Sequence, residues 1–374
     1  MDATQLETIE DLQKVVNYLM GANDTLVNKQ LAFKAIQKAQ FFKDLDLEFE
    51  ARYEYMSQCT FLNFDEELIA QFPWFLNICD QHPGRFRYRS VLWSFKWVLD
   101  VIPEYHKVSL QQIDSLLQDF EARFKAFGAA DKIIQHYYMK VYVKLGDEEK
   151  AQQAYEKYKQ ATSNHVLLDC KACQSDSLLN IFLMTKEYQA LLNTAKPILD
   201  GKITCAEVPL LTYPKALMAA MRLEKWDLAE VYASKALRHL NKTVAFPVEY
   251  SQLLLFYTIK GDFVSARAIL EQQFPLLLGR TSDYLHFHFY LSAALFLKAM
   301  EKSGNAAIKL HFNLKQPPFD IADKDGEYPT PDLSQWFSEQ AAHRAGLLDG
   351  RNGNDFYMNY LEEIQEWTDQ QLDK

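Results

Sequence analysis

One arrangement recurs through the middle of this chain: an apolar run of helical period, a short turn, and a second run with small residues on one face. In IIQHYYMKVYVKLGDEEKAQQAYEKYKQA, the residues Ile133, Ile134, Tyr137, Tyr138, Val141 and Tyr142 recur at three- and four-residue steps, Gly146 and Asp147 make a turn after Leu145, and Ala151 and Tyr155 lie on the inner face of the second run. VEYSQLLLFYTIKGDFVSARAILEQQF repeats the pattern with Gly261, Asp262, Ala266 and Leu270. Between them, LLNIFLMTKEYQALLNTAKPIL supplies Leu191, Ala195 and Ile198, and ALMAAMRLEKWDLAEVYASKALRHL supplies Ala229, Ala233 and Ala236. Such a unit cannot bury its apolar face alone, so successive units must stack on one another. Taking Ala151, Leu191, Ala229 and Ala266 as the crossing residues, the steps are 40, 38 and 37 residues.

These units resemble tetratricopeptide repeats, whose second helix needs a small residue where it crosses the first closely. The steps exceed the usual ~34 of that superfamily, so irregular units with stretched turns are expected. The resemblance implies an all-α, TPR-like right-handed superhelix of stacked antiparallel helix pairs. It is good over residues 131–278 and weaker over 45–128, where Leu45 to Leu62 pairs with Glu66 to Asp80 and Arg85 to Ile102 pairs with Leu110 to Phe127. Thr281 to Ser303 opens a further unit with no obvious partner. We divide the chain into N-terminal helices (1–44), divergent helical repeats (45–128), TPR-like repeats (129–306), a Pro-rich loop (307–331) and C-terminal capping helices (332–374), the latter Asp332 to Leu348, with Asp332 as its cap beside Pro331, and Asp355 to Gln371. Over 60% helix and no sheet is expected, since no period-two alternation is sustained. DCKACQSD, ILDGKITCAEVP and LLDGRNGNDFY together resemble segments of an uncharacterised set of bacterial cytosolic repeat proteins, a resemblance that implies no catalytic residue.

Composition narrows the function. Lys and Arg total 40 against 50 Asp and Glu, a net charge of −10, which repels a phosphate backbone unless the cations are gathered on one face. Residues 1–44 read as two plain helices with no helix-turn-helix followed by a basic recognition helix, so no nucleic-acid partner is expected. The N-terminus lacks a basic and then apolar leader, and no run reaches the roughly 18 apolar residues of a membrane span; a soluble, cytoplasmic protein with no membrane association is expected. Five cysteines, Cys59, Cys79, Cys170, Cys173 and Cys205, are an odd number in a large chain, the pattern of reduced thiols.

Catalytic signatures are missing: there is no G-x-S-x-G, G-x-x-x-x-G-K-[ST], H-E-x-x-H or G-x-G-x-x-G. We expect no enzyme and no cofactor. His286 and His288, two residues apart, point to different sides of a helix and do not share a metal. Asp323, Asp325 and Glu327 echo a calcium loop without its length or terminal Glu. Cys170 and Cys173, with Cys205 at the start of the next unit, form a zinc candidate that His165 or Glu207 would complete. A second clear Cys or His pair is lacking, so buried structural thiols with no metal are the expectation. A redox role for the C-x-x-C lacks its βαβ context. The aromatic clusters SVLWSFKWVL and HFHFYL have helical spacing and read as core.

In the repeat superfamily the first helices line a concave surface that cradles a peptide or partner helix. Carrying those inward positions over gives His136, Lys140 and Lys144, then Asn180, then Met218 and Arg222, then Ser251 and Leu255. A groove with these cations and apolar side chains favours a protein or peptide segment with apolar anchors and a carboxylate. The expected function is a non-catalytic adaptor or regulator that binds a protein or peptide there. The alternative is an enzyme or metal-dependent protein with its site at Cys170, Cys173 and Cys205, or in the loop before Pro331.

Overall fold

The computed structural model describes residues 6–62, 64–205, 208–240, 246–314, 316–321 and 325–374. It is all-α, 73% helical, and divides into two units at Ile102 and Pro103. The first unit carries α1 (Ile9–Leu19), α2 (Leu26–Phe42), α3 (Leu45–Phe61), α4 (Asp65–Gln81) and α5 (Tyr88–Val101). Thr8, Thr25 and Asp44 cap α1, α2 and α3 by accepting backbone N–H groups, which satisfies donors that a helix start leaves unpaired. The alanine stripe of α2, Ala32, Ala35 and Ala39, is fully buried and allows α3 to pack closely along it.

A single 3-10 turn over Ile102–Glu104 leads into the second unit. There follow α6 (Leu110–Ala126), α7 (Asp131–Lys144), α8 (Glu148–Gln160), α9 (Lys171–Met184), α10 (Tyr188–Leu199), α11 (Thr212–Arg222), α12 (Trp226–His239), α13 (Pro247–Ile259), α14 (Phe263–Leu277) and α15 (Asp283–Lys302). Helices α7 and α8, α9 and α10, α11 and α12, and α13 and α14 pack as pairs, and the first helices α7, α9, α11, α13 and α15 pack on one another in sequence. The four crossing residues Ala151, Leu191, Ala229 and Ala266 have no accessible surface, as the sequence register requires. The extra length of the units lies in the connections 161–170 and 200–211 rather than in the helices.

The turns inside the first and last of these pairs follow directly from Gly-Asp. Gly146 and Gly261 adopt left-handed φ of 68° and 70°, a region that costs a side-chain-bearing residue roughly 1–2 kcal/mol. Asp147 and Asp262 then cap α8 and α14 by accepting from the N–H groups of Lys150 and Ser265, each at 3.1 Å.

Two expectations change. The segment after Ala306 is not free of sheet: β1 (Ala307–Lys309) and β2 (Glu327–Pro329) form an antiparallel ribbon with Ile308 opposite Tyr328. Three-residue strands are too short for alternation to register in sequence. The partner of α15 is α16 (Thr330–Asn352), which follows the ribbon and packs along it. Helix α16 begins at Thr330, so Pro331 and Asp332 sit in its first turn and Asp332 is not its cap; proline is tolerated there because its missing N–H is one the helix would leave unpaired. Phe312, Phe319 and Tyr328 from the ribbon segment join Phe274, Tyr290, Trp336 and Phe337 in one aromatic cluster, with Phe274 5.0 Å from Phe312 and 5.2 Å from Phe337 between ring centres. Asp323 lies outside the described residues, as do Glu207 and Lys315.

The last helix, α17 (Phe356–Leu372), turns back from α16 at Gly353. Asp349 accepts the N–H groups of Tyr357 and Met358, both at 2.9 Å, and so caps α17 from the preceding helix. Among the described residues no helix is long and apolar enough to cross a membrane.

Candidate functional site

Helix α17 lies across the first helices of the second unit. Its start is fixed at the α7–α8 turn, where Tyr357 donates its hydroxyl to the Lys144 carbonyl and Asn354 donates to the Leu145 carbonyl at 2.9 Å. Further along, Glu363 pairs with Arg222 of α11 and with Lys186 at 2.8 Å. Its last turns reach α15, where Asp369 takes Lys298 at 3.0 Å and Lys302 at 2.5 Å.

Between α17 and those helices is a cavity of about 350 Å³. Five of the eight groove positions expected from the sequence line it: Lys140, Lys144, Asn180, Met218 and Arg222. The other three do not. His136 is buried between the rings of Tyr137 and Tyr158, with Nδ1 3.6 Å from an Asp169 oxygen. Ser251 is buried and donates to the Val248 carbonyl at 2.7 Å, and Leu255 is core. On α13 the face toward the cavity is Val248, Glu249 and Gln252, so the expected stripe is displaced around the helix by a fraction of a turn.

Lys144, Lys186, Lys215 and Arg222 at the cavity are held by the protein's own carboxylates. Lys144 Nζ is 2.7 Å from Glu104 Oε1, whose other oxygen accepts from Ser282 at 2.9 Å. Lys215 Nζ is 2.5 Å from Asp176 Oδ2, and Thr212 donates to Oδ1 at 2.7 Å. Arg222 also donates to the Tyr188 hydroxyl at 2.9 Å and lies 4.8 Å from the Trp367 ring centre. Lys140 sits 4.8 Å from the Tyr137 ring centre. Such desolvated pairs hold their geometry at a cost in hydration that their mutual attraction offsets.

Burial sets the protonation states of the lining. It pushes the Glu249 carboxyl up, with nearby Lys215 opposing and Asp176 and Glu104 adding to the rise. It lowers His288 to about 3, reinforced by Lys144, so that ring is neutral at ordinary pH. Burial raises the Tyr360 phenol to about 12 and the Tyr284 and Tyr357 phenols well above their usual range. Gln252 carries a buried side-chain oxygen that no donor among the described residues reaches. The lining therefore combines neutral hydrogen-bonding groups, compensated cations and apolar surface from Val143, Leu183, Met184, Met218 and Ile364, which suits recognition of a ligand with both characters.

Sequence reasoning missed the contribution of α15 and α17: Tyr284, His288, Tyr357, Tyr360 and Glu363. The signal was present as Phe356, Tyr360, Glu363 and Trp367, spaced four, three and four residues apart on one face of the final helix.

A second cluster lies at the start of α9. The sulfurs of Cys170, Cys173 and Cys205 all fall within 4.8 Å of one another, with Cys173 and Cys205 3.1 Å apart. Cys170 caps α9, its sulfur accepting the Cys173 N–H at 3.4 Å. His165 is engaged elsewhere: its Nδ1 accepts from the Leu167 N–H at 3.2 Å and its ring lies against Phe127. His286 and His288 point apart, the former donating to the Ser282 carbonyl at 2.7 Å and the latter packing on Tyr284 and Tyr360.

Stacked helix pairs whose first helices share one recessed face make a helical-repeat fold, an architecture that in general fits an adaptor-like scaffold. No protein-family model matches the chain, and no curated protein matches it.

Proposed function

We propose that this chain is a non-catalytic adaptor or regulator of the tetratricopeptide-like class that holds a segment of a protein or peptide partner between its first helices and α17. The supporting observation is the cavity itself, where Lys140, Lys144, Asn180, Met218 and Arg222 meet at one place although they come from three separate repeat units. Its volume lies near the lower end of the ~300–1,000 Å³ of ligand sites, enough for a few side chains of a partner rather than a long strand. The favoured segment carries an apolar anchor and a carboxylate. The anchor displaces water from the Met184, Met218 and Ile364 surface; the carboxylate exchanges with Glu363 on Arg222 and Lys186, replacing one ion pair by another. The similarity of DCKACQSD, ILDGKITCAEVP and LLDGRNGNDFY to bacterial cytosolic repeat proteins fits a cytoplasmic bacterial setting for this role.

A displayed library of random short peptides, selected on the whole protein, tests the reading. Enrichment of peptides with a carboxylate beside apolar residues is expected, and binding should be lost in Asn180→Trp, which fills the cavity, and weakened in Lys140→Glu. Selected peptides that bind both variants as well as wild type would place the binding surface elsewhere.

A further inference from the structure

The five cysteines fall into two kinds. Cys59 and Cys79 are core residues, 0% and 8% exposed, as expected of a thiol used as a small apolar group. Cys173 and Cys205 are only half-buried and Cys170 is exposed, yet these three are the ones gathered together. Packing alone gives no reason to collect three polarizable, oxidisable sulfurs at a partly open site.

The backbone holds them there. Cys170 and Cys173 sit on the first turn of α9, so their spacing is fixed by the helix and the positive end of its dipole lies beside both sulfurs. Cys205 comes from the long connection between α10 and α11, which folds back as Ile203 N–H donates to the Pro197 carbonyl at 3.2 Å and Cys205 N–H to the Val208 carbonyl at 3.1 Å. Ala172, Ile198, Val208 and Ile203 form a small apolar patch beneath the sulfurs. With Zn–S bonds of ~2.3 Å at a tetrahedral centre, ligand sulfurs stand roughly 3.8 Å apart, between the 3.1 Å of the Cys173–Cys205 pair and the 4.8 Å limit of the group.

We infer that Cys170, Cys173 and Cys205 form a three-thiolate site for a single thiophilic d¹⁰ cation, zinc, with the fourth position open to solvent beside the exposed Cys170. Loading replaces three S–H protons by three Zn–S bonds, releases those protons to water and changes no oxidation state. The ion ties the start of α9 to the connection before α11, fastening two adjacent repeat units where their linkers are longest. This site is separate from the cavity and does not depend on the binding role proposed for it.

The test uses the full chain, reduced and freed of metal, titrated with Co²⁺ and then Zn²⁺. One equivalent of cobalt should give a thiolate-to-cobalt charge-transfer band and the intense visible bands of a tetrahedral centre, and zinc should abolish both. Zinc should also raise the melting temperature. Cys170→Ser, Cys173→Ser and Cys205→Ser should each lose the charge-transfer intensity. Because a serine variant can fold poorly, alkylation of wild type provides an independent reading: zinc should protect these three thiols while leaving the labelling of Cys59 and Cys79 unchanged. Absence of the cobalt bands in reduced wild type, their persistence in the serine variants, or a Cys173–Cys205 disulfide in protein isolated under thiol-blocking conditions would overturn the assignment.

Discussion

Asp283 shows how much one side chain can fix in this fold. It is almost fully buried in the first turn of α15, yet it receives the backbone N–H of His106 at 3.1 Å, the His106 ring Nδ1–H at 2.5 Å and Arg344 of α16 at 2.7 Å. Burial alone pushes its carboxyl up; the His106 and Arg344 contacts more than reverse this and hold it below the usual carboxylate range. A depressed folded value means that the contribution is fully present above the unfolded value of about 3.9 and is lost as pH falls through the lower folded value. Asp283→Asn should therefore flatten the acid limb of a stability-against-pH curve below about pH 4 and lower stability at neutral pH by about 1.5–3 kcal/mol, the worth of hydrogen bonds to a charged group. Denaturant melts at several pH values check both; an unchanged acid limb would show that other carboxylates carry it. None of this was legible in the sequence, because His106, Asp283 and Arg344 are far apart along the chain and only the tertiary fold brings them together.

Among the elements, the two Gly-Asp turns offer an internal comparison. Gly146 and Gly261 have nearly the same left-handed φ, but their surroundings differ. A Cβ on Gly261 would meet nothing within 4 Å, whereas one on Gly146 would run into the side chain of Phe356 at the start of α17. Gly261→Ala should cost only the left-handed penalty of roughly 1–2 kcal/mol. Gly146→Ala should cost that and more, because either the turn or α17 must shift. Thermal melts of the two variants, with α17 followed by hydrogen exchange, measure the difference, and equal losses would mean that α17 does not rest on this turn. The turn chemistry, the crossing alanines and the pairing of helices from α7 to α14 were readable because they depend on local spacing. The role of α17 was not, since a helix with an aromatic and acidic stripe reads equally as a cap or as the wall of a cavity. The pairing of α15 with α16 was hidden for a related reason: the ribbon between them moves the second helix beyond the spacing of the other units.

Across the whole molecule, a net charge of −10 coexists with a recess where Lys140, Lys144, Lys186, Lys215 and Arg222 converge. Composition weighed against a nucleic-acid partner but did not reveal that Glu104, Asp176 and Glu363 already engage Lys144, Lys186, Lys215 and Arg222, since ion pairs across the fold leave no trace in sequence spacing. This changes what a ligand must do. It competes with an internal carboxylate instead of meeting bare charge, so recognition rests on the apolar anchor while the exchange of ion pairs sets orientation. The measurement that tests this most directly is hydrogen exchange of the whole protein with and without a selected acidic, apolar-anchored peptide. Slowed exchange should be confined to the helices that line the cavity, α7, α9, α11, α13, α15 and the Tyr357–Ile364 stretch of α17. Protection on α8, α10 and α12 instead, or in the first unit alone, would contradict the assignment of the cavity as the binding site.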